Sequence, residues 1–344
     1  MTYRIALNFE DGATRFIDCN AGENVLDAAF RNKINLPMDC SDGVCGTCKC
    51  HCETGSYDMG DDYIDEALTA DEAEEGLVLT CQMVPSSDCV INVPVPSSAC
   101  KIAPASVESE VVSVERLSAN RVRIALKAVD APLPAFLPGQ YVNLAIPGLA
   151  GVTRSYSFSS LPGADIATFL IRNVPGGAMG EYLDNRAAAG DRITMHGPLG
   201  SFYLRAPRRP MLMLAGGTGL APILSMLEVL AAEGADGHAV HLIYGVHEQT
   251  DLVELERLED LSARLPGFTY LTTCSSDDGD HPHKGRVHEH IGVEQLNGGD
   301  VDIYLCGPPE MVESVKATVD ECGVQVANLY YEKFVPAQPE AVAA

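Results

Sequence analysis

The residues best placed to do chemistry are cysteines. Cys40-Ser-Asp-Gly-Val-Cys45-Gly-Thr-Cys48 spaces three thiols as C-x4-C-x2-C, and Cys81 follows after 32 residues. That is the plant-type spacing of a [2Fe–2S] centre, whose fourth thiolate comes from a distant element. Two irons bridged by two sulfides need four thiolates, two on each iron. Three arrive from one tight loop that must wrap the cluster and aim N–H groups at sulfur. Gly43 and Gly46 permit the backbone angles and the close approach this requires. Zinc is the competing metal, but it would want a second C-x2-C knuckle, and the chain has none. Cys48, Cys50 and Cys52 alternate as one strand face does. Cys50, Cys52, Cys19, Cys89 and Cys100 are read as small buried residues. Of 12 Cys in all, the cluster between Cys19 and Cys81 argues metal or redox chemistry rather than disulfides.

Two further segments suit phosphates and flat rings. In Arg154-Ser-Tyr-Ser157, alternation puts Arg154 and Tyr156 on one strand face and Ser155 and Ser157 on the other. A guanidinium grips phosphate, and an aromatic ring packs on a planar cofactor. Asn173-Val-Pro-Gly-Gly-Ala-Met-Gly180 then feeds a helical stretch, Glu181–Arg186, whose N-terminal amides favour an anion.

Met211–Ala215 reads as a short buried strand. Gly216-Gly217-Thr218-Gly219 follows at once, and Leu220–Ala232 has helical apolar spacing with Pro222 in its first turn. Strand, glycine turn and helix make a pyrophosphate cradle, although the G-x-G-x-x-G fingerprint is absent. A later apolar strand, Val301–Leu305, ends in Cys306-Gly307-Pro308, where open α/β sheets place their ligands. No upstream motif pairs Cys306 with a base, so it is read as lining a nicotinamide pocket rather than as a nucleophile. His281, His283, His288 and His290 read as a polar loop, with metal binding as the alternative. After the strand Val240–Tyr244, the stretch Gly245–Asp251 holds Glu248 and Asp251 and no Lys or Arg. Carboxylates there suit a ribose 2′-hydroxyl and repel a 2′-phosphate, so NADH is expected over NADPH. The bland alternative is that both acids only start the next helix, expected from Thr250.

The elements that must position these groups fall into three blocks. Residues 3–9 and 14–18 read as a hairpin, Asn24–Lys33 as a helix, and the cysteine loop follows Pro37. Pro94–Pro104 has the composition of a linker. Short alternating segments at 107–116, 120–128, 140–146, 152–158, 166–173 and 191–195 argue an antiparallel barrel. Strands near 211–215, 240–244, 268–272 and 301–305, a helix Glu310–Cys322 and a last strand Asn328–Phe334 argue a parallel sheet covered by helices.

Composition sets outer bounds. With 46% hydrophobic and 21% charged residues in 344, the chain is neither disordered, collagenous nor a coiled-coil rod. No apolar run nears the ~18 residues that span a bilayer, and the N-terminus alternates like a strand rather than a signal peptide. The expectation is a soluble cytoplasmic protein without membrane or nucleic-acid partners, since the net charge is −25. That charge is uneven: −13 over 1–100, +2 over 101–206 and −14 over 207–344. The near-neutral middle third suits bound phosphates. The acidic stretch Asp58–Glu75 is read as a solvated face, with partner docking as the alternative.

Over nearly its whole length the chain resembles the NADH-dependent reductase components of two-component aromatic-ring-hydroxylating dioxygenases, of the benzoate, toluate and anthranilate type. The resemblance rests on the four cysteines, Arg154-Ser-Tyr-Ser157, Gly216-Gly-Thr-Gly219, Cys306-Gly-Pro308 and Glu332-Lys-Phe334, in family order. Tyr57-Asp-Met59 and Tyr63–Leu68 point to the benzoate branch. It implies a plant-type ferredoxin (β-grasp, α+β) at 1–96, a linker at 97–104, an FAD-binding antiparallel β-barrel at 105–206, an NAD-binding α/β domain at 207–334 and a disordered tail at 335–344. It also implies roles. Cys40, Cys45, Cys48 and Cys81 bind the cluster. Arg154 holds an FAD phosphate, Tyr156 packs along the isoalloxazine and Ser157 hydrogen-bonds near flavin N5. Gly177–Gly180 bind the FAD pyrophosphate, with Arg172, Val174 and Met179 beside them. Gly216, Gly217, Thr218 and Gly219 bind the NADH pyrophosphate. Cys306, Gly307 and Pro308 meet the nicotinamide, and Phe334 covers the flavin until nicotinamide displaces it. The helix-entry turn and the N-terminal ferredoxin favour FAD over FMN. The partner implied is a terminal oxygenase of Rieske type. The reductase of a di-iron monooxygenase, or a ferredoxin-like carrier without hydride chemistry, is the alternative. One departure stands out: the family often has Ser or Thr where this chain has Gly180, so a side-chain phosphate contact is expected to be missing.

Overall fold

The computed structural model describes residues 2–101, 104–276 and 280–335. It divides into two compact units, Met1–Pro104 with Leu199–Ser201, and Ala105–Pro198 with Phe202–Ala344. The expected tail lies outside the described residues from position 336 on, as do residues 102 and 103 of the expected linker.

In the first unit, alternating apolar residues close β1 (Thr2–Phe9) on β2 (Thr14–Asn20) as an antiparallel hairpin. Helix α1 (Val25–Arg31) starts where Asn24 Oδ1 accepts the Asp27 N–H and buries Val25, Leu26, Ala28 and Ala29. β3 (Lys49–Thr54) leaves the cysteine loop; then come β4 (Tyr57–Asp58), α2 (Ala70–Glu74), β5 (Leu77–Leu79), β6 (Val84–Pro85) and β7 (Cys89–Val93). The main sheet runs β2-β1-β7-β3-β5, with β1 parallel to β7. This is the α+β arrangement expected. Helix α2 is short but doubly fixed: Thr69 and Glu72 form a capping box, and the buried Glu72 carboxylate accepts from Lys49 Nζ at 2.7 Å. That pair ties the helix to the residue next to Cys48.

In the second unit, β8 (Ala105–Ser118), β9 (Arg121–Ala128), β10 (Tyr141–Ala145), β11 (Thr153–Ser157), β12 (Ile166–Arg172), α3 (Ala178–Asn185) and β13 (Arg192–Leu199) come first. The six strands run β11-β10-β13-β8-β9-β12. The Phe158–Phe169 bridge joins the two edges and so closes the barrel. Its core holds Val122, Ile124, Phe158, Phe169 and Ile171, all fully buried. The last strand is longer than expected, reaching Leu199.

The rest of this unit is β14 (Met211–Gly216), α4 (Leu220–Glu233), β15 (Val240–Val246), α5 (Leu255–Arg264), β16 (Phe268–Cys274), β17 (Asp302–Gly307), α6 (Pro309–Glu321) and β18 (Asn328–Lys333). The sheet β16-β15-β14-β17-β18 is parallel throughout. Every residue of β14 and β17 is buried, which is why they read as continuous apolar runs without alternation. One element differs from expectation. The helix expected from Thr250 is a single 3-10 turn, Gln249–Asp251, and α5 begins only at Leu255. Glu254 lies in the left-handed region at φ 62°, where a helix cannot continue, and its carboxylate is held by Arg123. Among the described residues, no helix is long and apolar enough to cross a membrane.

Candidate functional site

The cysteine loop brings four sulfurs together as two pairs. Cys40 and Cys45 Sγ lie 3.0 Å apart, and Cys48 and Cys81 Sγ 3.3 Å apart. The loop achieves this with Gly43 at φ 81° and Gly46 at φ 70°. A Cβ on Gly43 would fall 2.5 Å from the Asp62 carbonyl oxygen, so glycine is required there for space as well as angle. Thr47 N–H donates to Cys45 Sγ at 3.4 Å. The Cys40 thiol donates to Cys45 and draws it down to about 6; Cys48 lowers Cys81 in the same way. Cys40 and Cys48 are pushed up in return. Cluster ligands must be thiolates, and one sulfur of each pair is already stabilised in that form. Among the described residues, no three His, Cys, Asp or Glu side chains gather around one ion position. Two thiol pairs fit two bridged irons better than one tetrahedral zinc. The remaining ferredoxin-unit thiols, Cys19, Cys50, Cys52, Cys89 and Cys100, are buried core residues.

On the barrel, Arg154 and Tyr156 are half-buried on β11, whereas Ser157 is buried. Burial raises the Tyr156 hydroxyl, leaving a neutral ring face. Helix α3 starts at Gly177 with no side chain capping it, so the first N–H groups are free to meet an anion. Of the residues expected around this turn, Arg172 and Val174 are exposed, while the Met179 side chain belongs to the barrel core and offers only its backbone. Gly180 is closely packed. A Cβ on it would fall 2.3 Å from Asn173 Oδ1 and 2.8 Å from the Val174 carbonyl oxygen.

The glycine turn sits at the carboxyl end of β14. Gly217 has φ 56°, and Gly219 leads into α4 without a side-chain cap. A Cβ on Gly219 would lie 2.2 Å from the Cys306 carbonyl oxygen, and one on Gly216 2.4 Å from Met311 Sδ. The turn therefore rests directly on the ends of β17 and α6, at Cys306, Gly307 and Pro308. Cys306 is fully buried; desolvation, and then the Glu332 carboxylate, push its thiol well above the usual range. Both effects favour the neutral thiol over the thiolate. Glu332 is its cross-strand partner on β18 and accepts from Ser157 Oγ at 3.5 Å. Ser157 of the barrel and Cys306 and Glu332 of the parallel sheet thus meet at one point. Phe334 N–H donates to the Gly307 carbonyl at 2.8 Å, and its ring packs half-buried on the core that includes Cys306.

The two acids expected at the adenine ribose part company. Glu248 is exposed, 3.4 Å from His247 Nε2. Asp251 is buried and accepts from Ser118, Asn120 and Arg121 of the barrel, each at 3.4 Å. Its carboxylate bonds to the barrel, whereas the sequence reading expects it at the ribose. His281 bonds to Thr272 Oγ1 and to the His283 carbonyl, and His290 to Thr273 Oγ1 and the Lys284 carbonyl. Sequence reasoning gave no role to Glu332, Asn173, Arg121 or the Arg123–Glu254 pair. Only Glu332 had a signal, standing in a motif already quoted; the others depend on partners far along the chain.

Three family models match the chain in the order of its parts. The 2Fe-2S iron-sulfur cluster binding domain matches residues 8–86, the oxidoreductase FAD-binding domain 108–203 and the oxidoreductase NAD-binding domain 213–317. The chain is 52% identical over 334 residues to the toluate 1,2-dioxygenase electron transfer component of Pseudomonas putida, covering 97% of this chain and 99% of that one. It is 47% identical over 337 residues to the 2-halobenzoate 1,2-dioxygenase electron transfer component of Burkholderia cepacia, covering 98% and 99%. Among solved structures, a cytochrome P450 reductase from Amycolatopsis aligns with a TM-score of 0.71 at 31% identity, covering 96% of this chain and 99% of that one.

Proposed function

The chain belongs to the family of dioxygenase electron transfer components, and on that premise we propose that it takes hydride from NADH onto FAD and sends single electrons through a [2Fe–2S] cluster to a terminal oxygenase. The oxygenase is of Rieske type and acts on a benzoate-like aromatic acid. When bound, nicotinamide gives electrons in pairs, the cluster accepts one at a time and flavin converts between them. The chain's own residues bind, orient and exclude water. Cys40, Cys45, Cys48 and Cys81 hold the cluster. Arg154 and the uncapped start of α3 take the FAD phosphates, and Tyr156 offers its face to the flavin ring. Gly216–Gly219 take the NADH diphosphate, and Glu248 alone serves the ribose end. Phe334 occupies the nicotinamide's place in the resting protein.

The observation that carries this reading is the meeting of Ser157, Cys306 and Glu332. A barrel strand and the carboxyl ends of two parallel strands converge there, where a flavin ring and a nicotinamide have to stack. Ser157 and Glu332 supply a hydroxyl and a carboxylate beside the reacting atoms, and the neutral Cys306 thiol supplies an apolar wall. The test is NADH oxidation with two acceptors. Ferricyanide should accept electrons at the flavin, and cytochrome c should require the cluster. Mass spectrometry of the released flavin should give FAD. An FMN mass, or no NADH-dependent reduction of either acceptor, would overturn the reading.

A further inference from the structure

Arg121 is a buried cation without an adequate counter-charge. It begins β9 of the barrel and is 5% exposed. Its closest acceptors are the Asn120 side-chain and backbone oxygens, at 2.7 and 3.2 Å. Asp251 faces it only at 3.4 Å and divides its carboxylate with Ser118 and Asn120. The Arg121 Nε is buried and has no acceptor. An arginine this deep is costly to keep unless a close carboxylate or an anion balances it, and an orphaned donor at such depth points to a missing partner.

Arg121 Nη2 lies 3.5 Å from where a Cβ of Gly217 would stand, so the guanidinium backs the glycine turn with nothing between. The exposed Arg172 is its cross-strand neighbour on β12 and adds a second positive charge. We propose that Arg121 is a barrel-borne residue of the dinucleotide site: it supports the Gly217 turn and lends its positive charge to the diphosphate bound there. This rests on the reading that Gly216–Gly219 take that diphosphate. In this arrangement Asp251 holds the guanidinium in place while neutralising it incompletely.

Binding of ADP-ribose to the FAD-loaded full chain, by calorimetry, tests this without requiring turnover. Arg121→Gln should weaken binding about tenfold or more, as loss of a charge-assisted contact does. Arg121→Lys keeps the charge and should recover most of that loss. Asp251→Asn decides between charge and scaffold. With the internal carboxylate gone, more of the Arg121 charge is available, so ADP-ribose should bind as tightly as before or more tightly. If Asp251→Asn weakens binding as Arg121→Gln does, the pair is a structural tie and the proposal is overturned. Unchanged binding in Arg121→Gln overturns it too. If ADP-ribose fails to compete with NADH in the unaltered protein, the dinucleotide reading itself has failed, which is a separate result.

Discussion

Replacing Gly180 separates what family resemblance expects from what packing dictates. The family resemblance implies Ser or Thr at this place, so Gly180→Ser would be expected to add a hydrogen bond to an FAD phosphate, for about 1.5–3 kcal/mol. The local geometry predicts otherwise. The new Cβ would stand 2.3 Å from Asn173 Oδ1 and 2.8 Å from the Val174 carbonyl oxygen. Asn173 is not free to swing away, since its Nδ2 donates to Asp184 Oδ1 at 2.7 Å. Moving it breaks that bond to a carboxylate, and the Val174 carbonyl must still retreat by several tenths of an ångström. Overpacking of this kind costs about 1–3 kcal/mol. Gly180→Ala has the cost without the hydroxyl, so FAD should bind about 30-fold more weakly, for about 2 kcal/mol. Gly180→Ser should bind FAD no more tightly than the unaltered protein. The assay is titration of apoprotein with FAD, followed by flavin fluorescence, with thermal unfolding at saturating FAD as the control for folding. Adding Asn173→Ala should restore part of the loss in Gly180→Ser, because the two sites are in contact and cannot act additively. Tighter FAD binding by Gly180→Ser, with an unchanged unfolding midpoint, would refute the steric argument.

Other outcomes follow from the same geometry. Cys48→Ser should abolish cytochrome c reduction and the EPR signal of the reduced cluster, while NADH–ferricyanide activity stays largely intact; equal loss of both activities would count against separate electron exits. Gly219→Ala places a Cβ 2.2 Å from the Cys306 carbonyl, where only backbone can yield. It should raise KM for NADH at least tenfold, with FAD content unchanged, by more than about 1.4 kcal/mol. Glu248→Gln should narrow the NADH over NADPH preference a fewfold in kcat/KM, whereas Asp251→Asn should leave that ratio unchanged, because Asp251 faces the barrel. Glu72→Gln removes the buried partner of Lys49 and should lower the stability of the ferredoxin unit by about 3 kcal/mol, read by calorimetry of the holoprotein; a loss under ~1 kcal/mol would show that solvent at Lys49 already screens the pair.

Short-range chemistry was legible in the amino-acid order, because it needs only a few neighbouring residues. The C-x4-C-x2-C spacing and its two glycines specify a loop that can wrap a cluster. Alternation specifies the barrel strands, and the continuous apolar runs of β14 and β17 specify strands buried on both faces. Gly216–Gly219 between an apolar strand and an apolar helix specify a strand–turn–helix unit. Tertiary packing decided which partner each charged group takes. Asp251 reads as a ribose ligand by position, yet it pairs with Arg121, 130 residues earlier, because the barrel edge packs on that segment. Glu254 breaks the expected helix for the same reason, its carboxylate held by Arg123 in a left-handed turn. Glu332 reaches the site only because the parallel register sets it beside Cys306 and the barrel brings Ser157 to it from 175 residues away. The need for glycine at 180 is likewise invisible until Asn173 fills the space a side chain would use. Periodicity and spacing are properties of one segment, whereas the partner of a buried charge depends on which surfaces meet when segments pack.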